Sequence, residues 1–247
     1  MLDLDQCLNI ARSAALTAGK FIVNSQGKNQ EILSNVGRDL KLQLDIDTEK
    51  LIKEHLSSNS SYPILGEETG ESEELGELYW VIDPLDGTSN FLRGIPISCV
   101  SIALMQNMIP ILGVIYDFNH DEIYFGHKES KAFINDEEIY VSSLSLRSES
   151  TLLTGIPAKI HYSDDEFSQM IDNFQAWKKI RMIGSAAMAA CYVASGKAET
   201  YQENGIFLWD IAAGAAIVNA AGGRASITNF QADHRVDAQF TNNKINY

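Results

Sequence analysis

The sequence predicts an α/β fold of the layered α+β kind, in which helices and sheets alternate. Its first stretch is amphipathic, since apolar residues recur there at helical spacing: Leu4, Leu8, Ala11, Ala15, Ala18 and Ile22. The middle of the chain is rich in Val, Ile and Tyr, which favour strands. After position 150, short strand-like and helix-like stretches alternate, which indicates sheets with helices packed between them.

The first half is predicted to contain two helices followed by strands. The second helix comes from "DTEKLIKEHL", which places Leu51, Ile52 and Leu56 on one side and offers Asp47 or Thr48 as its cap. "FINDEEIYV" (133–141) is typical of a strand, an Asn-Asp turn and a second strand. The other predicted strands of this half cover 79–83, 97–105, 111–117 and 122–126.

The second half alternates between the two kinds of element. "TLLTGI" (151–156) and "RMIG" (181–184) are typical of strands. Helices are predicted from "DDEFSQMIDNF", "AAMAACYVASG" and "WDIAAGAAIVNAAGG". No Pro/Ser-rich linker or repeat divides the chain, so residues 1–247 are predicted to form a single domain, with subregions of about 1–150 and 151–247 meeting at a cleft.

Composition excludes some partners and compartments. The chain has 247 residues with 19 basic and 33 acidic side chains, and its net charge of −14 disfavours a nucleic-acid backbone or an anionic membrane as partner. Cys7, Cys99 and Cys191 are odd in number and lie in apolar surroundings, as expected of reduced core thiols. The start of the chain is acidic where a signal peptide is basic, and about 18 uninterrupted apolar residues occur nowhere, so a cytoplasmic protein is predicted.

The stretch "WVIDPLDGTSNF" (80–91) delivers two aspartates at the end of an apolar strand. Pro84 and Gly87 allow a sharp turn, so Asp83 and Asp86 are able to converge on one point. Two buried carboxylates so close together would keep at least one of them protonated unless a cation is bound. Hard oxygen ligands without a nearby His or Cys set favour Mg²⁺, Mn²⁺ or Ca²⁺ over Zn²⁺.

The residues that follow, Gly87-Thr88-Ser89-Asn90, are typical of a helix N-terminus. Free backbone N–H groups and the positive end of the helix dipole accept a phosphate without Lys or Arg. Carboxylates that are able to bind a metal, followed directly by a helix N-terminus that is able to bind an anion, indicate a site for metal-assisted phosphoryl transfer. The plainer interpretation is a capped surface helix after a strand.

Two further acidic stretches are candidates. In "PILGEETG", Glu67 and Glu68 follow a short apolar run, and at most one of two neighbours on a strand faces a shared site; ordinary loop charge is the alternative. Asp210 is predicted to begin an Ala-rich helix. An Asp there is often only an N-cap, but Trp209 and the apolar helix indicate a buried carboxylate that is able to act as a further ligand.

In this order, the motifs resemble the inositol monophosphatase family of Mg²⁺-dependent, Li⁺-inhibited phosphatases within the fructose-bisphosphatase-like superfamily. The likeness runs from Ala18-Gly19 through "GEE", "DPLDGTSNF", "IGSAA" and "WDIAAGAAIV" to the final "AGG". The resemblance implies an alternating α/β/α/β/α sandwich, two or three Mg²⁺ ions, a small phosphate monoester as substrate and a homodimer.

The resemblance also implies roles for individual residues. The metal ligands would be Glu67, Asp83, the carbonyl of Leu85, Asp86 and Asp210. The N–H groups of Gly87 and Thr88 would hold phosphate, and Glu67 and Thr88 would position and activate a metal-bound water. An upstream aspartate would support Thr88. Leu42 stands where the family usually has Thr or Ser, so Asp45 is preferred for this role and Asp47 stays open.

Substrate contacts are implied for Asp86, Asp210, Glu203 from "ENGIFLWD", and Ser185 and Ala186 from "GSA". Ser89-Asn90 replaces the Lys-Glu that is typical of the adenosine bisphosphate nucleotidases, which favours a polyol phosphate. The predicted reaction is hydrolysis of inositol monophosphate or a related sugar phosphate by in-line attack of water. The alternatives are 3′(2′),5′-bisphosphate nucleotidase or fructose-1,6-bisphosphatase activity and, from another class, a non-catalytic partner of the transcription machinery.

Overall fold

The computed structural model describes residues 2–26, 31–36, 39–156 and 162–245. In these ranges the helices are α1 (Leu4–Ser25), α2 (Gln43–Asn59), α3 (Thr88–Arg93), α4 (Asp164–Gln175), α5 (Ala186–Ala194) and α6 (Leu208–Ala220). The strands are β1 (Ile32–Val36), β2 (Asp39–Leu42), β3 (Ile64–Gly66), β4 (Gly70–Glu71), β5 (Leu78–Asp86), β6 (Cys99–Gln106), β7 (Ile109–Asp117), β8 (Glu122–His127), β9 (Ala132–Ile134), β10 (Glu137–Ile139), β11 (Thr151–Thr154), β12 (Lys179–Arg181), β13 (Thr200–Phe207), β14 (Arg224–Thr228) and β15 (Arg235–Thr241).

An eight-stranded sheet organises the first half of the chain. Its order is β10-β9-β8-β7-β6-β5-β3-β4, and β3 runs parallel to β5 while the other neighbours are antiparallel. Strand β5 is buried along almost its whole length because both faces of the sheet are covered. The chain therefore carries Asp83 and Asp86 into the interior before it leaves the sheet.

Side-chain alternation along β5 separates two hydrophobic cores. Trp80 and Ile82 pack with α1 and α2 on one face of the sheet. Tyr79 and Val81 face the opposite side, where α5 and α6 lie between this sheet and the second one. Gly113 of β7 allows close contact with α6, because a Cβ there would lie 2.1 Å from the carbonyl oxygen of Ala213.

The second sheet has five strands in the order β12-β11-β13-β15-β14, with β12, β11 and β13 parallel and the remaining pairs antiparallel. Helix α4 lies against its outer side, where Gln169 and Met170 share a cavity with Leu152 and Gln202. The layers therefore alternate as helices α1 and α2, eight-stranded sheet, helices α5 and α6, five-stranded sheet, and α4. This confirms the predicted α/β/α/β/α sandwich.

Local predictions fail mainly at helix starts and in the last strands. Helix α2 begins at Gln43, four residues before the predicted cap Asp47, so Asp47 and Thr48 lie inside it. Helix α6 begins at Leu208, two residues before Asp210. Strands β13, β14 and β15 were not predicted, because polar residues interrupt their apolar alternation.

The three cysteines are free and buried, as the sequence predicts. Within the described part of the chain, no helix has the length and apolarity needed to cross a membrane.

Candidate active site

Strand β5 ends in a turn that buries two carboxylates. Asp83 Oδ1 accepts a hydrogen bond of 2.9 Å from the backbone N–H of Leu85, which bridges Pro84 and closes the turn. The pairing of β5 with β6 becomes irregular between Asp83 and Asp86. As a result, Asp83 is 1% exposed and Asp86 is 8% exposed.

Asp86 is held by the start of α5. Its Oδ2 accepts the Ser185 hydroxyl and, at 2.9 Å, the backbone N–H of Ala187. The Cys99 thiol lies 3.8 Å from the same oxygen. Burial raises the pKa of Asp86, while these hydrogen bonds act in the opposite direction because they favour the ionised form.

Glu67 follows β3 and reaches Asp83. Burial, the charge of Asp83 and the neighbouring Glu68 raise the pKa of Glu67 well above its ordinary value. A side-chain hydrogen bond links Glu67 to Asp83, and it raises the pKa of Glu67 while lowering that of Asp83. A hydrogen bond between two carboxyl groups requires a proton on one of them. Burial and the charges of Asp86 and Asp210 still leave the pKa of Asp83 well above its ordinary value.

Asp210 completes the group from the far end of the sequence. It lies in the first turn of α6, where its Oδ2 accepts the backbone N–H of Phe207 at 3.3 Å. Burial raises the pKa of Asp210 well above its ordinary value, with further contributions from Glu67, Asp86 and Glu203. Glu67, Asp83, Asp86 and Asp210 thus form one acidic cluster, in which Asp83 and Asp86 are buried, Asp210 is half-buried and Glu67 is exposed at the edge.

The donor chemistry of this cluster fits a hard divalent cation. Charges within the cluster raise the pKa values of Glu67 and Asp83, and a bound cation would remove this repulsion. In the ranges that the structure describes, no three His, Cys, Asp or Glu side chains stand arranged as a metal site. The residue types and the charge of the cluster therefore fit a hard divalent cation.

A left-handed glycine connects the acidic cluster to α3. Gly87 has φ 85°, and a Cβ there would lie 2.7 Å from the carbonyl oxygen of Ile97, so a larger residue is excluded. Helix α3 starts at the next residue, as predicted. The Thr88 hydroxyl donates a hydrogen bond of 2.9 Å to the carbonyl of Leu85.

Asp45 and Asp47 differ in position. Asp45 is buried in the first turn of α2, where its Oδ2 accepts the N–H of Leu42 at 2.8 Å, and its charge contributes to the raised pKa of Glu67. Asp47 is exposed and accepts the side-chain amide of Gln43 at 2.8 Å. Of the two aspartates, Asp45 is therefore the one that lies near the acidic cluster.

A cleft of about 390 Å³ opens over the cluster. Its lining includes Asp86, Ser89, Thr154, Gly155, Ile156, Met182, Gly184, Ser185, Ala186, Tyr201, Glu203, Ile206 and Asp210. Glu203 accepts a hydrogen bond of 3.0 Å from the Tyr201 hydroxyl, and burial raises the pKa of Glu203 to about 7. Gly155 allows this placement, because a Cβ there would lie 2.2 Å from Glu203 Oε2.

Comparison with known proteins identifies the family. Residues 3–242 match the model of the inositol monophosphatase family. The chain belongs to that family. It is 36% identical to the inositol-1-monophosphatase of Synechocystis, over 91% of this chain and 79% of that protein. It is also 36% identical to the Nus factor SuhB of Pasteurella multocida, over 89% of this chain and 84% of the relative.

Solved structures agree with the inositol monophosphatase fold. The inositol monophosphatase from Anabaena (Nostoc) superposes with a TM-score of 0.86 at 31% identity, covering 98% of this chain and 93% of that one. Family membership confirms the predicted class of phosphoric monoester hydrolases. Inositol monophosphatases are generally metal-dependent, in keeping with the acidic cluster.

Several residues of this inositol monophosphatase site could not be predicted from the sequence. Tyr201 and Gly155 line the cleft beside Glu203, but a lone Tyr and a Gly after a strand are ordinary residues in sequence. The sequence gives Asn90 as a hint of substrate class, but in the structure its Nδ2 donates to the carbonyls of Ile97 and Ile183, both at 2.8 Å. Asn90 thus joins α3 to the segment before α5, whereas Ser89 lines the cleft.

Proposed function

We propose that the protein hydrolyses a small phosphate monoester in a Mg²⁺-dependent reaction, with inositol monophosphate or a related polyol or sugar phosphate as substrate. The observation that carries this proposal is the acidic cluster of Glu67, Asp83, Asp86 and Asp210 beneath a cleft whose wall presents Glu203. A cluster of this charge is compatible with a phosphate group only when cations lie between them.

The cluster residues would hold two or three Mg²⁺ ions through Glu67, Asp83, Asp86, Asp210 and the Leu85 carbonyl. When bound, Mg²⁺ would lower the pKa of a coordinated water and stabilise the negative charge of the transferring phosphoryl and leaving groups. Asp86 needs little reorganisation for this role, since Ser185 and Ala187 already fix its Oδ2.

Glu67 and Thr88 would activate and orient the attacking water. Glu67 would accept a proton from the attacking water, a role that its raised pKa favours. Thr88 donates its own hydroxyl proton to the Leu85 carbonyl, so its oxygen lone pairs are free to orient that water. Asp45 is proposed as the carboxylate that supports this pair.

The remaining contacts would bind the substrate. The backbone N–H groups of Gly87 and Thr88 are proposed to hold the phosphate. Glu203 would accept a hydrogen bond from a ring hydroxyl, because the Tyr201 hydroxyl occupies only one of its oxygens. Ser185 and Ala186 line the same cleft beside Asp86 and Asp210 and would contact the substrate there. A hydroxyl-rich ring suits this polar wall better than an apolar alcohol does.

A substrate panel tests the proposal. Phosphate release from inositol 1-phosphate, fructose 1,6-bisphosphate and adenosine 3′,5′-bisphosphate is measured with Mg²⁺ and with EDTA. We expect the highest kcat/KM for the inositol ester, loss of activity in EDTA, and inhibition by Li⁺. Preference for either bisphosphate would replace the proposed substrate, and full activity in EDTA would overturn the metal dependence.

A second candidate comes from the names of relatives. Two of them, from Pasteurella multocida and Xylella fastidiosa, are called Nus factor SuhB at 36% and 37% identity. This favours a role as a non-catalytic partner of the transcription machinery. A protein that releases no phosphate from any panel member, yet captures a defined transcription complex, would support that role. Homodimer formation and a cytoplasmic location stay predictions.

A further inference from the structure

Helix α2 buries a second carboxylate, Glu49, beside the turn that carries Glu67. Glu49 is 0% exposed. Its Oε2 accepts the backbone N–H of Glu68 at 2.8 Å, and its Oε1 accepts the backbone N–H of Thr69 at 3.1 Å and the Thr69 hydroxyl at 2.5 Å. A single side chain therefore binds the two backbone amides that directly follow Glu67.

The residue before Glu67 is fitted to the same carboxylate. A Cβ on Gly66 would lie 2.5 Å from Glu49 Cδ and 2.6 Å from each of its oxygens. Real Cβ contacts are not so short, and the obstacle is a carboxylate already held by hydrogen bonds, so any side chain at Gly66 would displace it. The absence of a side chain at Gly66 therefore leaves room for the Glu49 carboxylate.

Glu67 itself is anchored on its other side by the sheet. Its backbone N–H donates to the carbonyl of Ile82 in β5 at 3.3 Å. The peptide before Glu67 is therefore tied to the strand that delivers Asp83, and the peptides after it are tied to α2. With both sides fixed, the Cα–Cβ direction of Glu67 is determined by these two attachments.

Lys53 balances the charge of Glu49. Its Nζ lies 3.1 Å from Glu49 Oε1, one helical turn along α2, and donates to the Thr69 hydroxyl and the carbonyl of Gly70. An ionised carboxylate binds backbone N–H groups about twice as strongly as a neutral acceptor does. Glu49 and Lys53 together therefore bind the turn from Glu67 to Gly70 to α2.

We infer that Glu49 is a positioning residue for Glu67: by holding the N–H groups of Glu68 and Thr69, it sets the direction of the Glu67 carboxylate toward the acidic cluster. The inference rests on the proposed function in giving Glu67 its role as ligand and base. Helix α2 then serves the site twice, since Asp45 and Glu49 lie one turn apart on its buried side.

Glu49→Gln tests the inference, because glutamine keeps the shape but turns an N–H group toward one of the two amides. The matched control is Glu54→Gln, an exposed glutamate on the same helix. In Glu49→Gln, we expect the Glu68 and Thr69 amides to exchange hydrogen at least tenfold faster, and Mn²⁺, used as a spectroscopic probe, to bind at least tenfold more weakly. We also expect kcat to fall at least tenfold with KM within twofold of the wild-type value, since the substrate wall at Glu203 is untouched. Glu54→Gln should change none of these.

Unchanged exchange rates in Glu49→Gln would overturn the inference, and so would faster exchange with unchanged kcat and Mn²⁺ affinity, which would make Glu49 merely structural. If Glu49→Gln does not fold, Thr69→Val removes the hydroxyl that donates to Glu49 and accepts from Lys53, and it leaves both backbone amides in place. A threefold or greater fall in kcat then supports the inference, and no change overturns it. Glu67→Gln separates the two proposals. If it retains turnover, the proposed role of Glu67 is wrong, while the amide exchange still reports whether Glu49 holds the turn.

Discussion

Asp86 shows how one residue serves both the protein and its candidate ligand. Its Oδ2 is taken by donors from α5 and β6, namely the Ser185 hydroxyl, the Ala187 N–H and the Cys99 thiol. These contacts depend on an oxygen acceptor and on position, whereas cation binding depends on negative charge. The two roles are therefore separable by a conservative change.

Asp86→Asn should lower Mg²⁺-dependent kcat at least about 100-fold, a loss of roughly 3 kcal/mol in transition-state stabilisation. Asparagine retains an oxygen for the donors of α5 but removes one charge from the acidic cluster. The folded structure should persist, because mutual repulsion within the cluster decreases at the same time. Steady-state kinetics and circular dichroism measure both effects. Turnover like that of the wild type would refute the assignment of Asp86 as a ligand.

Glu203 gives the protein a defined pH dependence. Burial raises its pKa to about 7 in the folded state, while the unfolded chain has an ordinary value near 4.3. Between these values the folded protein keeps a proton that the unfolded chain has released. The stabilising contribution of this proton is therefore fully present below about pH 4.3 and is lost as the pH rises through about 7.

Glu203→Gln should flatten this part of the stability profile, by up to about 3 kcal/mol between pH 4 and pH 8, because glutamine has no proton to release. Urea unfolding in EDTA at several pH values measures the difference between variant and wild type. The exposed-site variant Glu54→Gln serves as the control and should keep the wild-type slope. A Glu203→Gln profile parallel to the wild type would show that Glu203 titrates normally.

At the scale of elements, the contact of β7 with α6 depends on a missing side chain. The Cβ of an alanine at position 113 would lie 2.1 Å from the carbonyl oxygen and 2.8 Å from the carbonyl carbon of Ala213. Both obstacles are backbone atoms of a buried helix, so relief requires α6 to move away from the sheet. Since α6 carries Asp210, such a movement also displaces the acidic cluster.

Gly113→Ala should therefore lower the free energy of unfolding by at least about 2 kcal/mol through overpacking. Gly76→Ala is the matched control, because a Cβ there meets no atom within 4 Å; it should be neutral or stabilise by up to about 1 kcal/mol. Urea denaturation of both variants measures the difference. Equal stabilities would mean that β7 and α6 are not packed as closely as described.

The first residues of α2 and α6 could not be predicted from residue preferences alone. The predicted cap of α2 at Asp47 follows the usual preference for Asp and Thr, yet the helix begins at Gln43 and Asp45 accepts the Leu42 N–H from inside the first turn. Asp210 does the same in α6 with Phe207. In both helices the carboxylate binds backwards from the third position, a pattern that a preference for N-cap residues does not detect.

For the whole molecule, we expect a single cooperative unfolding transition. The eight-stranded sheet contributes one face to each hydrophobic core, and α5 and α6 are packed between both sheets. The core around α1 and α2 lies within 1–150, but the core between the two sheets takes residues from both predicted subregions, 1–150 and 151–247, and so couples them. Coincident urea transitions by tryptophan fluorescence and far-ultraviolet circular dichroism would agree with the predicted single domain, and two separated transitions would contradict it.

The sequence by itself determined the local chemistry of this protein. "DPLDGT" carries its aspartates, its proline and its left-handed glycine within six residues, so the turn at the end of β5 follows from neighbouring residues alone. The motif order predicted the inositol monophosphatase family and its layered sandwich. These features depend on adjacent residues and on short periodicities, which survive in a linear sequence.

Only the tertiary structure decided which distant groups meet. Glu67 and Asp86 raise the pKa of Asp210, which lies more than 140 positions after Glu67 in the sequence, because the sheet that holds β3 and β5 packs against α6. The hold of Ser185 on Asp86 and of Glu49 on the Glu67 turn is likewise a contact between separate elements. Such contacts depend on strand order and helix packing, and the free energies that set these are summed over whole cores rather than carried by any one motif.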